Sequence, residues 1–383
     1  MNHFKNICLI VLLIIAFIRC TEVYNPNVSS DTKALIVEGL ITDEAGPFTI
    51  KLFEAVPISF DSVVDSKTVS GAKLIVTDNE NKTYVLTETT AGTYSTPSNF
   101  ITKVGNSYKL HITTKDGNIY ESNAEKLLSP QTYDSIRGIR ATEDYLNGNN
   151  ELQHAAGADI LVNLFKSLSD SVVSCRFNSK IVIQYLYTAR DLDLNGKEIT
   201  DWHWVCFGWS TYDLNSTENI TEEKNATTNS LIQNHSIGFM PFATASYGFY
   251  TPYATSIIYY LRVSQYTMND DSYRFYKGAN NQLSASGKIF DPITSQLYGN
   301  MKCVSNPSKI VLGLFEVSSV KQHGFIVRGS SSANDVFVTK TTAQDVPNSS
   351  YSQYKVWDSN PISKPKNDSL YTPIPFPGWW YHQ

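Results

Sequence analysis

Short segments in which apolar and polar residues alternate recur through the first third of the chain. Phe48, Ile50 and Leu52 are spaced two residues apart, and the pattern returns further along the chain. Such alternation is typical of strands with one buried face, because successive side chains of a strand point to opposite faces. It predicts strands at residues 35–42, 48–53, 72–77, 83–87, 92–95, 108–113 and 119–122. Short strands at this spacing are typical of an immunoglobulin-like β-sandwich, which we place at residues 33–128.

A larger β-rich domain is expected at residues 129–350, where β-branched and aromatic residues again alternate with polar ones. Its predicted strands lie at residues 160–165, 180–187, 199–207, 256–264, 310–317 and 325–328. A polar stretch at 209–249, rich in Asn, Thr and Ser, is expected to form long loops. The predicted fold class is therefore all-β, with two β-rich domains.

One short helix is expected within the second domain. Asn269 is suited to cap it, and the acidic pair 270–271 supplies the negative charge that the start of a helix favours. Tyr273, Tyr276 and Leu283 then follow at roughly helical spacing and predict an apolar stripe on one face of this helix.

The N-terminus carries the pattern of an export signal. An apolar run extends from Ile7 to Ile18, which is too short for the roughly 20 residues of a membrane-spanning helix but suits a secretory signal. The run ends directly at Cys20 and therefore resembles a bacterial lipoprotein signal, although Arg19 stands where a small residue is usual. We expect a signal peptide at residues 1–19, a lipid on Cys20 and a polar tether at 20–32; an ordinary secretory cut is the alternative.

Composition limits the classes of partner. The chain is 17% charged and 12% aromatic, with a net charge of −5. Disordered chains have few aromatic residues and high net charge, so disorder is excluded. A nucleic-acid partner is not expected, because the sequence lacks the basic clusters that bind phosphates.

The cysteines leave their pairing open. Loss of the signal peptide and lipidation of Cys20 leave Cys175, Cys206 and Cys303 for the folded chain. An exported compartment permits disulfides, and a Cys206–Cys303 pair is preferred because both residues lie beside predicted strands of one domain. Three buried free thiols are an equal alternative. No ligand spacing typical of a structural zinc site occurs.

Residues 191–196 match the first half of a calcium-binding loop, with Asp191, Asp193 and Asn195 at the ligand positions. The closing carboxylate is missing, because Trp202 occupies its position, and a hairpin turn between two strands is the favoured interpretation. His203 lies in a strand-like segment and is expected to be structural. No nucleophile elbow or Gly-rich phosphate loop occurs, and no pair of catalytic carboxylates is indicated.

Aromatic residues are the remaining candidates for a partner or ligand surface. One group, Tyr247, Phe249, Tyr250 and Tyr253, lies in a segment interrupted by Gly and Pro. A second group, Trp379, Trp380 and Tyr381, ends a Pro-rich tail at residues 351–383. Rings with a polar tip favour protein, peptide or sugar contacts, whereas packing onto the protein's own surface is the structural alternative for the tail.

The last third of the chain also carries a set of ordered motifs. They are Asp271-Ser-Tyr-Arg-Phe-Tyr276, Gly287-Lys-Ile-Phe-Asp-Pro292, Gly299-Asn300, Asn306-Pro307 and Val311-Leu-Gly-Leu-Phe-Glu-Val-Ser-Ser-Val320. Together with the opening Cys20-Thr-Glu and Leu35-Ile-Val-Glu-Gly-Leu-Ile-Thr42, they resemble the bacterial lipoprotein family known as domain of unknown function 4249 (DUF4249). The resemblance implies an exported lipoprotein of Gram-negative bacteria, often encoded beside TonB-dependent outer-membrane receptors. It implies no catalytic residues.

These observations predict a non-enzymatic, lipid-anchored outer-membrane protein on the periplasmic or cell-surface face. We expect it to act as a binding or accessory partner of a TonB-dependent nutrient transporter, without a cofactor or a metal ion. The alternative is a structural or adhesion lipoprotein of the cell envelope, and a hydrolase is a third and weaker hypothesis.

Overall fold

The computed structural model describes residues 34–55, 67–146, 151–164, 174–192, 198–214, 219–221, 232–242, 258–284, 297, 299–328, 336–341 and 343. Among them one helix, α1, spans Asp270–Ser284. The strands in chain order are β1 (Leu35–Ile41), β2 (Thr49–Glu54), β3 (Lys67–Thr68), β4 (Lys73–Asp78), β5 (Thr83–Val85), β6 (Thr87–Thr90), β7 (Thr93–Ser95), β8 (Ser107–Thr113), β9 (Ile119–Ser122), β10 (Glu125–Lys126), β11 (Tyr133–Leu146), β12 (Leu152–Leu164), β13 (Ser174–Leu192), β14 (Glu198–Asp213), β15 (Asn219–Ile220), β16 (Ile232–Pro241), β17 (Ile258–Met268), β18 (Met301–Cys303), β19 (Val311–Val317), β20 (Ser319–Arg328) and β21 (Phe337–Thr341).

Two sheets share the first hydrophobic core and form the first sandwich. One sheet has the order β19-β1-β2-β7-β6 with β3 beside β2, and the other has the order β18-β9-β8-β4-β5 with β10 beside β8. Val37 and Leu52 from one sheet and Leu74 and Leu110 from the other are fully buried in this core. This core explains the alternation of apolar and polar residues in the sequence, since every second residue of these strands faces the partner sheet.

Strands β18 and β19 join this sandwich although they come from the region 129–350. β19 lies parallel to β1, from Leu35 opposite Val311 to Ile41 opposite Val317, and β18 pairs with β9. Gly313 permits the close approach of β19 to β1, because an added Cβ would lie 2.0 Å from the carbonyl oxygen of Val37. The periodicity of a segment predicts a strand but carries no information about the sheet that it joins.

The remaining strands form the second sandwich around a second core. Its sheets have the orders β11-β12-β16 and β14-β13-β17-β20-β21, with β15 beside β13. Ile160 and Met240 of the three-strand sheet share the core with Ile181, Leu261 and Phe325 of the larger sheet. The all-β fold class with one described helix is confirmed, whereas an immunoglobulin-like topology stays a prediction.

Several elements differ from the sequence-based expectation. The stretch 209–249, expected to form long loops, contains the end of β14, the short β15 and the ten-residue β16. The helix begins where predicted, and the backbone N–H of Ser272 donates to Asn269 Oδ1 over 3.0 Å. Leu283 does not belong to a buried stripe, since it is 69% exposed.

Candidate functional site

Most of the predicted site residues lie outside the described residues. These are Cys20, Tyr247, Phe249, Tyr250, Tyr253, Trp379, Trp380 and Tyr381. The tether at 20–32 and the tail at 351–383 lie outside them as well. The Tyr247 to Tyr253 segment connects β16 to β17, so it joins the two sheets of the second sandwich.

The preferred disulfide is not formed in the structure. Cys303 is a free, buried thiol on β18, with its Sγ 3.5 Å from Ser305 Oγ. Cys206 is carried by β14, which belongs to the other sandwich. Cys175 is also free and buried, and burial raises the pKa of its thiol to about 12. The preference for this pair assumed that both residues lie beside strands of one domain, whereas β18 joins the first sandwich and β14 the second.

The strands on either side of residues 193–197 are neighbours, as a hairpin would require, although residues 193–197 themselves lie outside the described residues. β13 and β14 pair as antiparallel neighbours up to Leu192 opposite Glu198. His203 lies on β14, opposite Arg190. In the part of the chain that the structure describes, no group of three His, Cys, Asp or Glu side chains is arranged to hold a metal ion.

Helix α1 brings motif residues to the contact between the two sandwiches. Asp271, in its first turn, accepts a hydrogen bond from Asn123 Nδ2 over 2.6 Å and forms an ion pair with Arg274. Asn123 lies between β9 and β10 of the first sandwich, whereas α1 directly follows β17 of the second. The first turn of α1 is therefore bonded to the first sandwich.

Glu125 completes a carboxyl pair with Asp271. It is only 3% exposed and accepts from Asn300 Nδ2 over 2.7 Å. Burial, reinforced by the negative charge of Asp271, raises the pKa of Glu125 to about 7. Partial burial opposes ionisation of Asp271, but hydrogen bonds from Asn123 and Glu125 and the Arg274 charge hold its pKa below the usual value. The negative charge is therefore more favourable on Asp271 than on Glu125.

Asn300 ties this carboxyl pair to β19. Its Nδ2 also donates to the Phe315 carbonyl over 2.7 Å, and its Oδ1 accepts from the Phe315 N–H over 3.0 Å. Its own carbonyl accepts from the N–H of Asn123 over 2.9 Å. These bonds join the Gly299-Asn300 motif to the motif that contains Phe315.

A second bridge is a buried ion-pair cluster. The Arg176 guanidinium on β13 donates to both carboxylate oxygens of Glu316 on β19, over 3.1 and 3.2 Å. It lies between the rings of Tyr266 and Tyr276, 4.2 and 4.6 Å from their centroids. Tyr276 Oη and Ser318 Oγ also donate to Glu316, over 2.6 and 2.7 Å. The charge of Glu316 is thus met by one cation and two hydroxyl groups.

The carboxyl pair and the ion-pair cluster form the junction of the two sandwiches. Its geometry does not match glycosidic cleavage, because catalytic carboxyl groups stand about 5 to 9.5 Å apart with substrate or water between them. In the junction Glu125 is buried and accepts a hydrogen bond from the side chain of Asn300. Glu125 could not be singled out from the sequence, because Asn300 lies far along the chain.

The edge strand β14 is a different kind of candidate site. It is 16 residues long and is the terminal strand of its sheet among the described strands. Residues 202–212 include three Trp and contain no Asp, Glu, Lys or Arg. Edge strands normally carry charges, Pro or short lengths that prevent pairing with another chain. β21, at the other end of the same sheet, has five residues including Lys340.

A family model described as a domain of unknown function, DUF4249, matches residues 21–323. The chain belongs to the DUF4249 family. The match includes all the residues of the junction, from Asn123 to Ser318, so the expected family is confirmed. No curated protein and no solved structure matches the chain. The helix that the structure describes is not long and apolar enough to cross a membrane.

Proposed function

We propose that this DUF4249 protein is a non-enzymatic, lipid-anchored outer-membrane protein that binds a TonB-dependent nutrient transporter as an accessory subunit. The export signal ending at Cys20 supports the location, because two or three acyl chains on one Cys give stable anchoring. The resemblance described above supports the class of partner.

The observation that supports the binding role is the edge of β14, along which no other described strand than β13 and no charged residue between 202 and 212 is found. Such a stretch of edge strand offers a row of backbone N–H and C=O groups to an extended segment of another protein. Strand addition supplies main-chain hydrogen bonds, which give affinity without a preformed pocket. The aromatic groups at 247–253 and 379–381 are further candidates for this surface.

A catalytic role is not proposed, because the motif residues take part in internal contacts. Arg176, Glu316 and Asn300 are each almost fully buried, and they are hydrogen-bonded to other groups of the chain. Such side chains hold the fold together, whereas a catalytic group must meet a substrate. The shared motifs therefore support a common scaffold with binding at its surface.

Co-purification with a pair of Pro variants tests the proposal. Ser210 and Thr211 are neighbours on β14, so their N–H groups point to opposite sides of the strand. Pro removes an N–H, and it is tolerated only where that N–H does not pair within the sheet. The variant whose removed N–H pairs with β13 should unfold the β13–β14 ladder. The variant whose removed N–H points away from β13 should fold normally but lose the partner.

The tagged full chain is purified in detergent from cells that contain or lack the transporter encoded beside it. We expect an outer-membrane barrel protein to co-purify from the first cells, and to be reduced at least tenfold with the well-folded Pro variant. Absence of a barrel protein contradicts the transporter role. Binding to other envelope material that persists without the transporter supports the adhesion alternative.

A further inference from the structure

Two hairpins of the second sandwich extend past the sheets to which they belong. The pairing of β13 with β17 ends at Gln184 opposite Ile258, but β13 continues to Leu192 and pairs there, among the described strands, with β14 alone. We call residues 185–192 and 198–208 the long arm. In the other sheet, β12 pairs with β16 as far as Gly157 opposite Pro241. Beyond that point residues 142–146 and 152–156 pair with each other and form the short arm.

Both arms leave the same end of the second sandwich. At the base of the short arm, the N–H of Phe242 donates to the carbonyl of Ala156 over 2.9 Å. The Phe242 ring lies 6.0 Å from the ring of Tyr259, which adjoins Ile258 at the base of the long arm. The connection that contains Tyr247 to Tyr253 begins after Phe242 and ends before Ile258. Both arms and both ends of this connection therefore meet at one place, the arm end.

The arm end lies opposite the first sandwich. β13 begins at the junction, where Arg176 contacts Glu316, and it ends in the long arm. β1 runs toward the junction from the other side, since the carbonyl of Ile41 at its end accepts from the Ser318 N–H over 3.0 Å. Leu35, at the start of β1, is thus remote from the junction, and the expected tether at 20–32 precedes it. The chain enters at one end, and the arms project at the other.

The backbone of the long arm favours an extended polypeptide as its ligand. A two-stranded ribbon presents N–H and C=O groups along its outer edges, and no third described strand pairs with this part of β13 or β14. Another strand repeats the complementary groups at the same spacing, so it can pair along the whole edge. An isolated two-stranded hairpin is marginally stable in water, and an added strand stabilises it.

The charge of the arms favours a basic segment. Residues 141–156 include three acidic residues and no Lys or Arg, and residues 185–208 include four acidic residues and two basic ones. The arms together have a formal charge of −5, as large as that of the whole chain. Glu143 and Glu151 of the short-arm hairpin are exposed. A second copy of this chain would bring two such acidic ends together, whereas a basic segment is attracted.

We propose that the arm end binds the transporter by accepting a basic, extended segment of it as an added strand on the long arm. This inference rests on the proposed transporter binding and specifies the part of β14 and the kind of segment involved. The segment lies outside the bilayer, because burial of charged groups in hydrocarbon is costly. The short arm stands at the same end and supplies acidic side chains beside the added strand.

An arm-trimmed variant of the tagged full chain tests the position of the site. Residues 187–206 are replaced by Asn-Gly, which favours the tight turn of a hairpin and joins Leu186 to Phe207, its partner in the ladder. Ser210 and the sandwich part of β14 remain. Urea unfolding should resemble that of the wild type, since the removed residues pair only with each other among the described strands. The co-purified barrel protein should fall by about tenfold or more.

A pair of charge variants tests the kind of segment without shortening the chain. Glu143→Lys with Glu151→Lys reverses two exposed acids of the short-arm hairpin, and Glu38→Lys with Glu80→Lys makes the same change of charge on the first sandwich. We expect the first pair to reduce co-purification more than the second. The difference should shrink when the salt is raised to about 0.5 M NaCl, because salt screens exposed charges.

The outcomes separate this inference from the proposed function. If the folded arm-trimmed variant retains the barrel protein while the well-folded Pro variant of β14 loses it, the arm site is wrong and the role of β14 stands. Equal losses in the two charge variants overturn the basic segment. A wild-type dimer that the arm-trimmed variant does not form assigns the arm to a second copy and overturns the proposal. If the wild-type chain captures no barrel protein, both the proposed function and the arm site fail.

Discussion

Removal of the Glu316 carboxylate should be among the most costly single changes in this protein. The Glu316 side chain is 2% exposed and that of Arg176 is 6% exposed, so Glu316→Ala removes the carboxylate to which this buried guanidinium donates. Breaking a buried ion pair in this way typically costs about 3–5 kcal/mol. The Tyr276 and Ser318 hydroxyls also lose their acceptor, which places the expected loss in the upper part of that range.

The assay is urea unfolding of the full chain in detergent, with Glu38→Ala as the matched control. Glu38 is 67% exposed and lies 3.8 Å from Lys51, which is itself 46% exposed. Exposed pairs of this kind contribute less than about 1 kcal/mol. The free energy of unfolding should therefore fall by at least 3 times more in Glu316→Ala than in Glu38→Ala, by the magnitudes given for buried and exposed pairs.

A double variant separates the ion pair from simple loss of packing. Arg176→Met with Glu316→Leu removes both charges and keeps most of the volume, so its stability should lie well above that of Glu316→Ala. The account of the junction is refuted if Glu316→Ala costs no more than Glu38→Ala. It is also refuted if the double variant is as unstable as the sum of its two single variants, since no coupling would then exist.

Three further outcomes follow from the structure. Gly313→Ala should lower the melting temperature measured by circular dichroism, because φ is +88° and the added Cβ would meet the Val37 carbonyl. In the control Gly117→Ala the added Cβ meets no atom within 4 Å, so the melting temperature should fall less. Burial lowers the pKa of His323 to about 4, so its contribution to stability is present above pH 6.5 and is lost as the pH falls toward 4; His323→Gln should flatten that part of a urea-stability profile. Cys20→Ser should move the protein from the membrane fraction to the soluble fraction on ultracentrifugation, and an unchanged distribution contradicts lipid anchoring.

The local signals of the sequence predicted the strands of the first sandwich closely. β8 was expected at 108–113 and spans Ser107–Thr113, because its alternating residues face one core. The helix start was equally accessible, since Asn269 and the acidic pair after it are a local capping signal. Boundaries were less accurate in the second sandwich, where β13 was expected at 180–187 and spans Ser174–Leu192.

The long-range pairings could not be predicted from one sequence. The parallel pairing of β1 with β19 and the hydrogen bond of Asn123 with Asp271 join residues far apart in the chain, and neither leaves a periodic pattern. The motif residues Tyr276, Asn300 and Glu316 were interpreted as scaffold, which agrees with their buried contacts. Which groups they hold, and that they bridge two sandwiches, became apparent only from the structure.

The central claim is that β14 is the surface which binds a transporter. Photo-crosslinking in living cells tests this claim most directly. A crosslinking residue replaces Ser210 on β14, and the control replaces Thr339 on β21, the terminal strand at the other end of the same sheet. The account predicts a crosslink from position 210 to a TonB-dependent outer-membrane receptor and none from position 339. A crosslink to such a receptor from position 339 alone, or from neither position while the receptor is present, contradicts it.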